Sequence, residues 1–325
     1  MKIIIDVNGA DEGIKIPIKA SIDALKEKEF VPVFAGDSKK IKNIIGQDIK
    51  DYEIIDSKDV ISNNEDPVRA IRRKKDSSLV KAFNKLKEES YDGLISAGST
   101  GAILAGGLFI SGRIDGIKRA CLATSLPTFK GQTLLLDTGA NMDCKAEFLK
   151  EFAIMGSVYV ENVLNIKNPS VSLLNVGAEE HKGNKLAKES FKILKESKLN
   201  FTGNIEARDL FTGKTNIVIA DGFDGNIAIK TAEGVISLFS KEVKDAIYKS
   251  FSTKIGGVLI KNALKENLSK YNSDDIGGAP LLGVKEYIYK AHGNSNKKAF
   301  KSAILGLIDY INTGTIEKIK GELKW

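Results

Sequence analysis

Cysteine is almost absent from this chain. Only Cys121 and Cys144 occur, too few for a disulfide framework, and no Cys/His cluster has metal-ligand spacing. A reducing cytoplasm is the simple expectation, with no metal site and no cofactor. Long apolar runs are missing too. No stretch of about 18 apolar residues exists, so no segment is expected to cross a bilayer. The amino terminus, Met1 to Asp6, reaches a charge after one short apolar run, which is not the pattern of a secretory signal. The usual nucleotide motifs are absent. There is no Gly-x-Gly-x-x-Gly, and the one Gly-Lys-Thr, at Gly213–Thr215, has Arg208 where a phosphate-binding loop needs its first glycine. No proline- or serine-rich linker divides the chain and no internal repeat is visible, so one unit over 1–325 is expected.

What is present is ordinary for a globular protein: 42% hydrophobic and 28% charged residues, net charge +7 and a pI near 9.0. The positive balance comes mainly from dispersed lysine. It favours acidic partners or phosphate without choosing among them, and nothing points to nucleic acid.

Short apolar runs alternate with helical patterns. Strands are predicted at Lys2–Asp6, Phe30–Ala35, Tyr52–Asp56, Tyr91–Ser96, Cys121–Ser125, Thr133–Asp137, Val171–Leu174 and Ile217–Ala220. Helices are predicted at Ile14–Lys28, Leu79–Glu89, Ala102–Ser111, Lys145–Leu164 and Asn184–Ser197. Runs apolar throughout, such as Ile3–Ile5, suit strands buried on both faces. The expected class is α/β: a Rossmann-like three-layer α/β/α sandwich on a mostly parallel sheet. The segment from about Val235 to Lys270 is helical and lysine-rich, with Phe239, Val243, Ile247, Phe251, Ile255 and Leu259 at helical spacings. Gly256-Gly257 would break or bend it. It reads either as a helix pair packed on a core or second subunit, or as a reversible contact with anionic lipid.

In open parallel sheets, ligands bind beyond the carboxyl ends of strands. Here those ends carry glycine with Asp, Asn, Ser or Thr: Asp6–Asp11, Gly98-Ser99-Thr100-Gly101, Asp137-Thr138-Gly139-Ala140-Asn141, Asn175-Val176-Gly177 with Lys182-Gly183-Asn184, and Asp221-Gly222-Phe223-Asp224-Gly225-Asn226. Any one of them could be only a turn. Five polar glycine turns on one edge predict an anion site, with Gly98–Gly101 as the best phosphate cradle. Arg72-Arg73-Lys74-Lys75 is either a solvated basic turn or a contact for an acidic protein. Of the two histidines, His181 and His292, the second stands at a strand end before Gly293-Asn294-Ser295.

Taken in order, these blocks, together with Asp143-Cys144-Lys145 and Gly277-Gly278-Ala279-Pro280-Leu281-Leu282-Gly283, resemble the bacterial phosphate acyltransferases of phospholipid synthesis over essentially the whole chain. The first turn departs at Val7, Asn8 and Ala10, and Ala178 and His181 depart in the stretch before Lys182. The resemblance implies a fold similar to phosphotransacetylases and to isocitrate- and isopropylmalate-type dehydrogenases. It implies acyl transfer from acyl carrier protein to inorganic phosphate, a homodimer, peripheral attachment to an anionic membrane through 235–270, and delivery to a glycerol-3-phosphate acyltransferase. A coenzyme A-dependent short-chain phosphotransacetylase is the alternative. On this reading Ser99, Thr100 and Gly101 cradle phosphate and Lys182 supplies charge. Asn184 and Asn226 donate hydrogen bonds, and His292 protonates the leaving thiolate. Asp6, Asp11, Asp137 and Asp221 orient these groups. Gly9, Gly98, Gly139, Ala140, Asn141, Gly222, Phe223, Gly225, Gly278, Ala279 and Ser295 line the site, and Arg72, Arg73 and Lys74 meet the carrier protein.

Overall fold

Residues that cannot turn easily, the β-branched and apolar runs, form the strands, and the polar glycine stretches end them. The computed structural model describes residues 1–269 and 277–322, with side chains of the first stretch to Ala263. Lys270, the expected end of the projecting segment, lies outside the described residues. In chain order the strands are β1 (Lys2–Asp6), β2 (Val31–Gly36), β3 (Glu53–Asp56), β4 (Gly93–Ser96), β5 (Cys121–Thr128), β6 (Gly131–Leu136), β7 (Val171–Asn175), β8 (Phe201–Glu206), β9 (Ile217–Ile219), β10 (Gly278–Leu282) and β11 (Ile288–Ala291). The helices are α1 (Lys15–Ala24), α2 (Ser38–Ile45), α3 (Pro67–Arg73), α4 (Ser78–Leu86), α5 (Thr100–Gly106), α6 (Ala146–Val163), α7 (Lys185–Lys195), α8 (Gly222–Tyr248), α9 (Phe251–Ser269), α10 (Lys297–Asn312) and α11 (Thr315–Glu322).

All strands join one sheet in the order β3-β2-β1-β4-β11-β10-β5-β6-β9-β7-β8. Pairing is parallel except at β11–β10, β10–β5 and β5–β6. These three antiparallel steps reverse the strand direction between the halves. The carboxyl ends of β1, β4 and β11 therefore leave the sheet on the edge opposite to those of β6, β9 and β7. The sequence predicts all the glycine turns on one edge, and the structure corrects that. Periodicity carries no information on strand direction, and the reversal is made by β10 and β5.

Both faces are covered. One core packs α1, α2, α6, α7, α10 and α11 on alternate strand residues such as Ile3, Ile5, Leu136 and Tyr289. On the other face α3, α4 and α5 cover Ile4, Leu94 and Ile288, and α8 lies over Leu135 and Val218. Strands apolar on both sides are what a sheet between two helix layers needs. Each fully buried Ile or Phe contributes about 1.5–3 kcal/mol.

The 235–270 segment is helical over its described residues, as its spacing predicts. Helices α8 and α9 pack against each other and leave large apolar residues exposed, Phe251 at 81% and Leu259 at 78%. The break is elsewhere than predicted. Helix α9 runs unbroken through Gly256-Gly257, and the chain turns at Lys249–Ser250, where the Ser250 hydroxyl accepts from Thr253 N–H. Gly257 serves packing instead: a Cβ there would lie 2.5 Å from Ile247 Cγ2.

Candidate active site

The glycine turns form two groups. In the first, Asp6, Ser96 and Lys290 are register partners on β1, β4 and β11, and share the face covered by α4 and α5. Asp6 is buried. Its carboxylate accepts from the hydroxyls of Ser78 at 2.8 Å and Ser96 at 2.7 Å, and from Asn8 N–H. Ser96 Oγ in turn accepts from Gly98 N–H at 3.0 Å. This chain of bonds fixes the start of the Gly98–Gly101 loop. Gly9 belongs here for steric reasons, since a Cβ on it would sit 2.1 Å from Gly98 N. Ser99 caps α5 by accepting from Ala102 N–H, and a Cβ on Gly101 would meet Pro67 at the start of α3. Asp11 N–H donates to Gly293 O, and the Asp11 carboxylate lies against Gly293. Gly278 and Ala279 pair with Ala291 and Lys290. Ser295 is buried, and its hydroxyl has no hydrogen-bond partner.

In the second group, Asp137 is wholly buried and accepts five hydrogen bonds: from the N–H of Leu122, Thr138, Ala140 and Asn141, and from Asn141 Nδ2. Burial pushes the carboxyls of Asp6 and Asp137 upward, while the donors pull the other way. Both residues organise loops, and neither is free to meet substrate. Asp221 accepts from Phe223 N–H, capping α8, and from Cys144 N–H. Gly222 and Gly225 allow α8 to touch the 137–141 turn, because a Cβ would lie 2.3 Å from Asn141 O or 2.0 Å from Asp137 O. Phe223 is exposed. Gly139 takes φ +120°, and a Cβ there would lie 3.6 Å from Asn226 Cγ. Asn184 caps α7 with its Oδ1 and keeps its NH₂ free to donate, while Lys182 is exposed and its carbonyl accepts from Asn175.

Four strand-to-strand steps separate β4 from β6, about 19 Å along the sheet. Among the described residues no hydrogen bond, ion pair or glycine contact joins loop 98–101 to residues 137–141, 182–184 or 221–226. Helix α8 links the two groups. Asn226, Lys230 and Glu233 follow helical spacing along one stripe. Asn226 faces Gly139, and Glu233 Oε1 lies 3.9 Å from His292 Nε2. The opposite face of α8, with Ile227, Ala228, Ala232 and Ile236, lines a mainly apolar cavity of about 920 Å³ together with Leu174 and Leu186. Asn184 and Asp221 reach the same cavity.

Three electrostatic features were not visible in the sequence. Lys290 is only 9% exposed, and burial pushes its ammonium down to about 8, although Asp11 opposes the shift. Burial, with Lys290 and Lys230 nearby, lowers His292 below its ordinary value against the pull of Glu233. A neutral imidazole is a poor proton donor to a leaving thiolate, which weakens the acid role expected for His292. Burial and Asp221 raise the Cys144 thiol to about 12, so it offers no thiolate nucleophile. The basic turn is also divided. Lys74 pairs with Glu65 at 3.0 Å and Asp59 at 3.5 Å, whereas Arg72 is exposed over the Phe109 ring and Arg73 is exposed on the same short helix.

The family described as fatty acid synthesis protein matches residues 1–318. The phosphate acyltransferase of Clostridium novyi (strain NT) is 45% identical over 331 residues, covering 100% of this chain and 99% of that protein. The phosphate acyltransferase of Clostridium tetani (strain Massachusetts / E88) is 46% identical over 327 residues, covering 99% and 98%. The chain belongs to the phosphate acyltransferase family. It is an enzyme of the acyltransferase class. Two solved structures share its fold. A phosphotransacetylase from Streptococcus pyogenes has a TM-score of 0.62 at 18% identity, covering 96% of this chain and 94% of that one. A branched-chain phosphotransacylase from Enterococcus faecalis V583 has 0.57 at 13%, covering 96% and 100%. The chain has the α/β fold that the strand and turn pattern predicts.

Proposed function

We propose that this chain moves a fatty acyl group from the thioester of acyl carrier protein onto inorganic phosphate. A phosphate oxygen attacks the carbonyl carbon, the C–O bond forms, the C–S bond breaks, and the thiolate leaves with its electron pair and takes up a proton. Phosphate is already a nucleophile, so the protein has only to position it and to stabilise the oxyanion. The observation that carries this reading is the two-faced helix α8. One face lines an apolar cavity large enough for an acyl chain, and the other runs from Asn226 beside Gly139 to Lys230 and Glu233 beside Lys290 and His292 of the phosphate-cradle group. Phosphate lies at the 98–101 loop, and the donor lies along α8. Asn226, on the polar stripe of α8, is the candidate donor to the thioester carbonyl and its oxyanion, while Asn184 at the apolar cavity and the exposed Lys182 would hold the acyl donor at points away from the reacting carbon. Asp6, Asp137 and Asp221 hold the loops in shape.

Arg72 and Arg73 supply the positive surface for the acidic carrier, with Phe109 beside them. The exposed pair α8–α9 meets a second copy of the chain and an anionic membrane surface, where acyl phosphate passes to a glycerol-3-phosphate acyltransferase. No helix among the described residues is long and apolar enough to cross a membrane, so attachment would be peripheral, from the cytoplasm. The test is mass-spectrometric detection of acyl phosphate from palmitoyl-acyl carrier protein and phosphate, with palmitoyl- and acetyl-coenzyme A as rival donors. Phosphate-dependent product mainly from the carrier donor is expected. Product from acetyl-coenzyme A alone would replace this reading with a short-chain phosphotransacetylase.

A further inference from the structure

Lys290 is the most unusual charge in the molecule. It sits third in a strand otherwise made of Ile288, Tyr289 and Ala291, and 9% of it is exposed. Its ammonium donates to the Ala291 carbonyl, and no carboxylate of the described residues lies within ion-pair distance of it. A buried ammonium without a counter-ion is costly and is retained where an anion arrives to complete it. The place fits that account. Lys290 is the register neighbour of Ser96, whose hydroxyl holds Gly98 N–H, and both lie on the face from which α5 rises. The groups that act on it are Asp11 from the first turn and Lys230 from α8, with His292 two residues further on, so a single carboxylate faces two ammonium groups and the site keeps a positive excess. In the turn that follows β11, Ser295 N–H donates to His292 O and its buried hydroxyl lacks a partner.

We propose that Lys290, at the floor of the Gly98–Gly101 loop, is the cation that binds the phosphate substrate. The inference rests on the acyl-transfer reading and deepens it, because the sequence left open whether Lys182 meets phosphate or the oxyanion and offered no other cation for the cradle. Phosphate completes the ion pair that the fold leaves open, and the Lys230 ammonium is near enough to act on the same charge.

The test uses the full chain as wild type, Lys290→Met and Lys290→Arg. Melting temperature is followed as inorganic phosphate is titrated, and initial rates are measured against phosphate and against acyl carrier thioester separately. Lys290→Met should melt no lower than wild type, since an uncompensated buried charge has been removed. It should lose the phosphate-induced rise in melting temperature. Its KM for phosphate should increase about 10- to 100-fold, the range for a lost charge-assisted hydrogen bond, with the KM for thioester nearly unchanged. Lys290→Arg should recover part of the phosphate affinity. Normal phosphate binding by Lys290→Met overturns the proposal. So does a rise in the thioester KM alone, which would assign the lysine to the phosphodiester of the carrier's prosthetic arm. Should Lys290→Met not fold, Lys290→Gln, which keeps a donor for the Ala291 carbonyl, is subject to the same outcomes. A wild-type protein that binds phosphate yet makes no acyl phosphate would defeat the reading of the reaction and leave this binding site standing.

Discussion

Replacing Gly9 by alanine would place a methyl carbon 2.1 Å from Gly98 N and 2.4 Å from Gly98 Cα. Both are backbone atoms, so no side chain can swing away. Ordinary contact begins near 3.4 Å, and the turn after β1 and the loop after β4 must part by more than an ångström. The loop is otherwise pinned by the Asp6–Ser96–Gly98 bonds, so the strain cannot be shed without loosening them. Overpacking of this kind costs about 1–3 kcal/mol. A displacement of about 1 Å at a reacting group costs roughly a hundredfold in rate. Gly9→Ala should therefore melt a few degrees lower and turn over about a hundredfold more slowly, with a raised KM for phosphate. Thermal melting and phosphate-dependent release of carrier thiol measure both effects. Gly234→Ala is the control. It lies on exposed α8 with nothing within 4 Å of the added carbon, and should gain about 0.5–1 kcal/mol. A Gly9→Ala protein with wild-type turnover and phosphate KM would refute the reasoning that this contact shapes the cradle.

Lys182→Ala should lose most turnover with no change in melting temperature, because the side chain is exposed; near-normal rates would remove it from the mechanism. Arg72→Glu with Arg73→Glu should raise the KM for acyl carrier protein severalfold at low salt and less at high salt, and an unchanged value would reject the contact. Ala232→Phe should narrow the cavity and reduce kcat/KM for long acyl chains more than for short ones; equal losses would place the acyl chain elsewhere. Phe251→Asp with Leu259→Asp should lower sedimentation with anionic vesicles, and unaltered binding would make the helix pair purely structural.

Much of the fold was legible because burial on both faces leaves a compositional mark. Ile3–Ile5 and Ile217–Ile219 are apolar without alternation, and both are interior strands. Strand β8 was not read, since Phe201–Glu206 includes Gly203 and Asn204 and lies at the sheet edge, where only one neighbour constrains it. The site was legible as turns but not as an arrangement. Asp137 and Asp221 look alike in sequence to Asp6, yet the reversal at β10 and β5 sends them to the other edge. Gly9, Gly222 and Gly225 read as backbone donors for an anion, while in space they are gaps that let two chain segments touch. Lys290 was overlooked because a lysine among 49 basic residues carries no mark of burial, and its position beside Ser96 exists only once β11 has paired with β4.

Inorganic phosphate labelled with ¹⁸O at every oxygen, incubated with the protein and palmitoyl-acyl carrier protein, tests the central claim most directly. Attack by phosphate on the thioester predicts acyl phosphate that retains the full label, with free carrier thiol released in equal amount. Unlabelled palmitate as the only acyl product, formed at a rate independent of phosphate, would contradict the account.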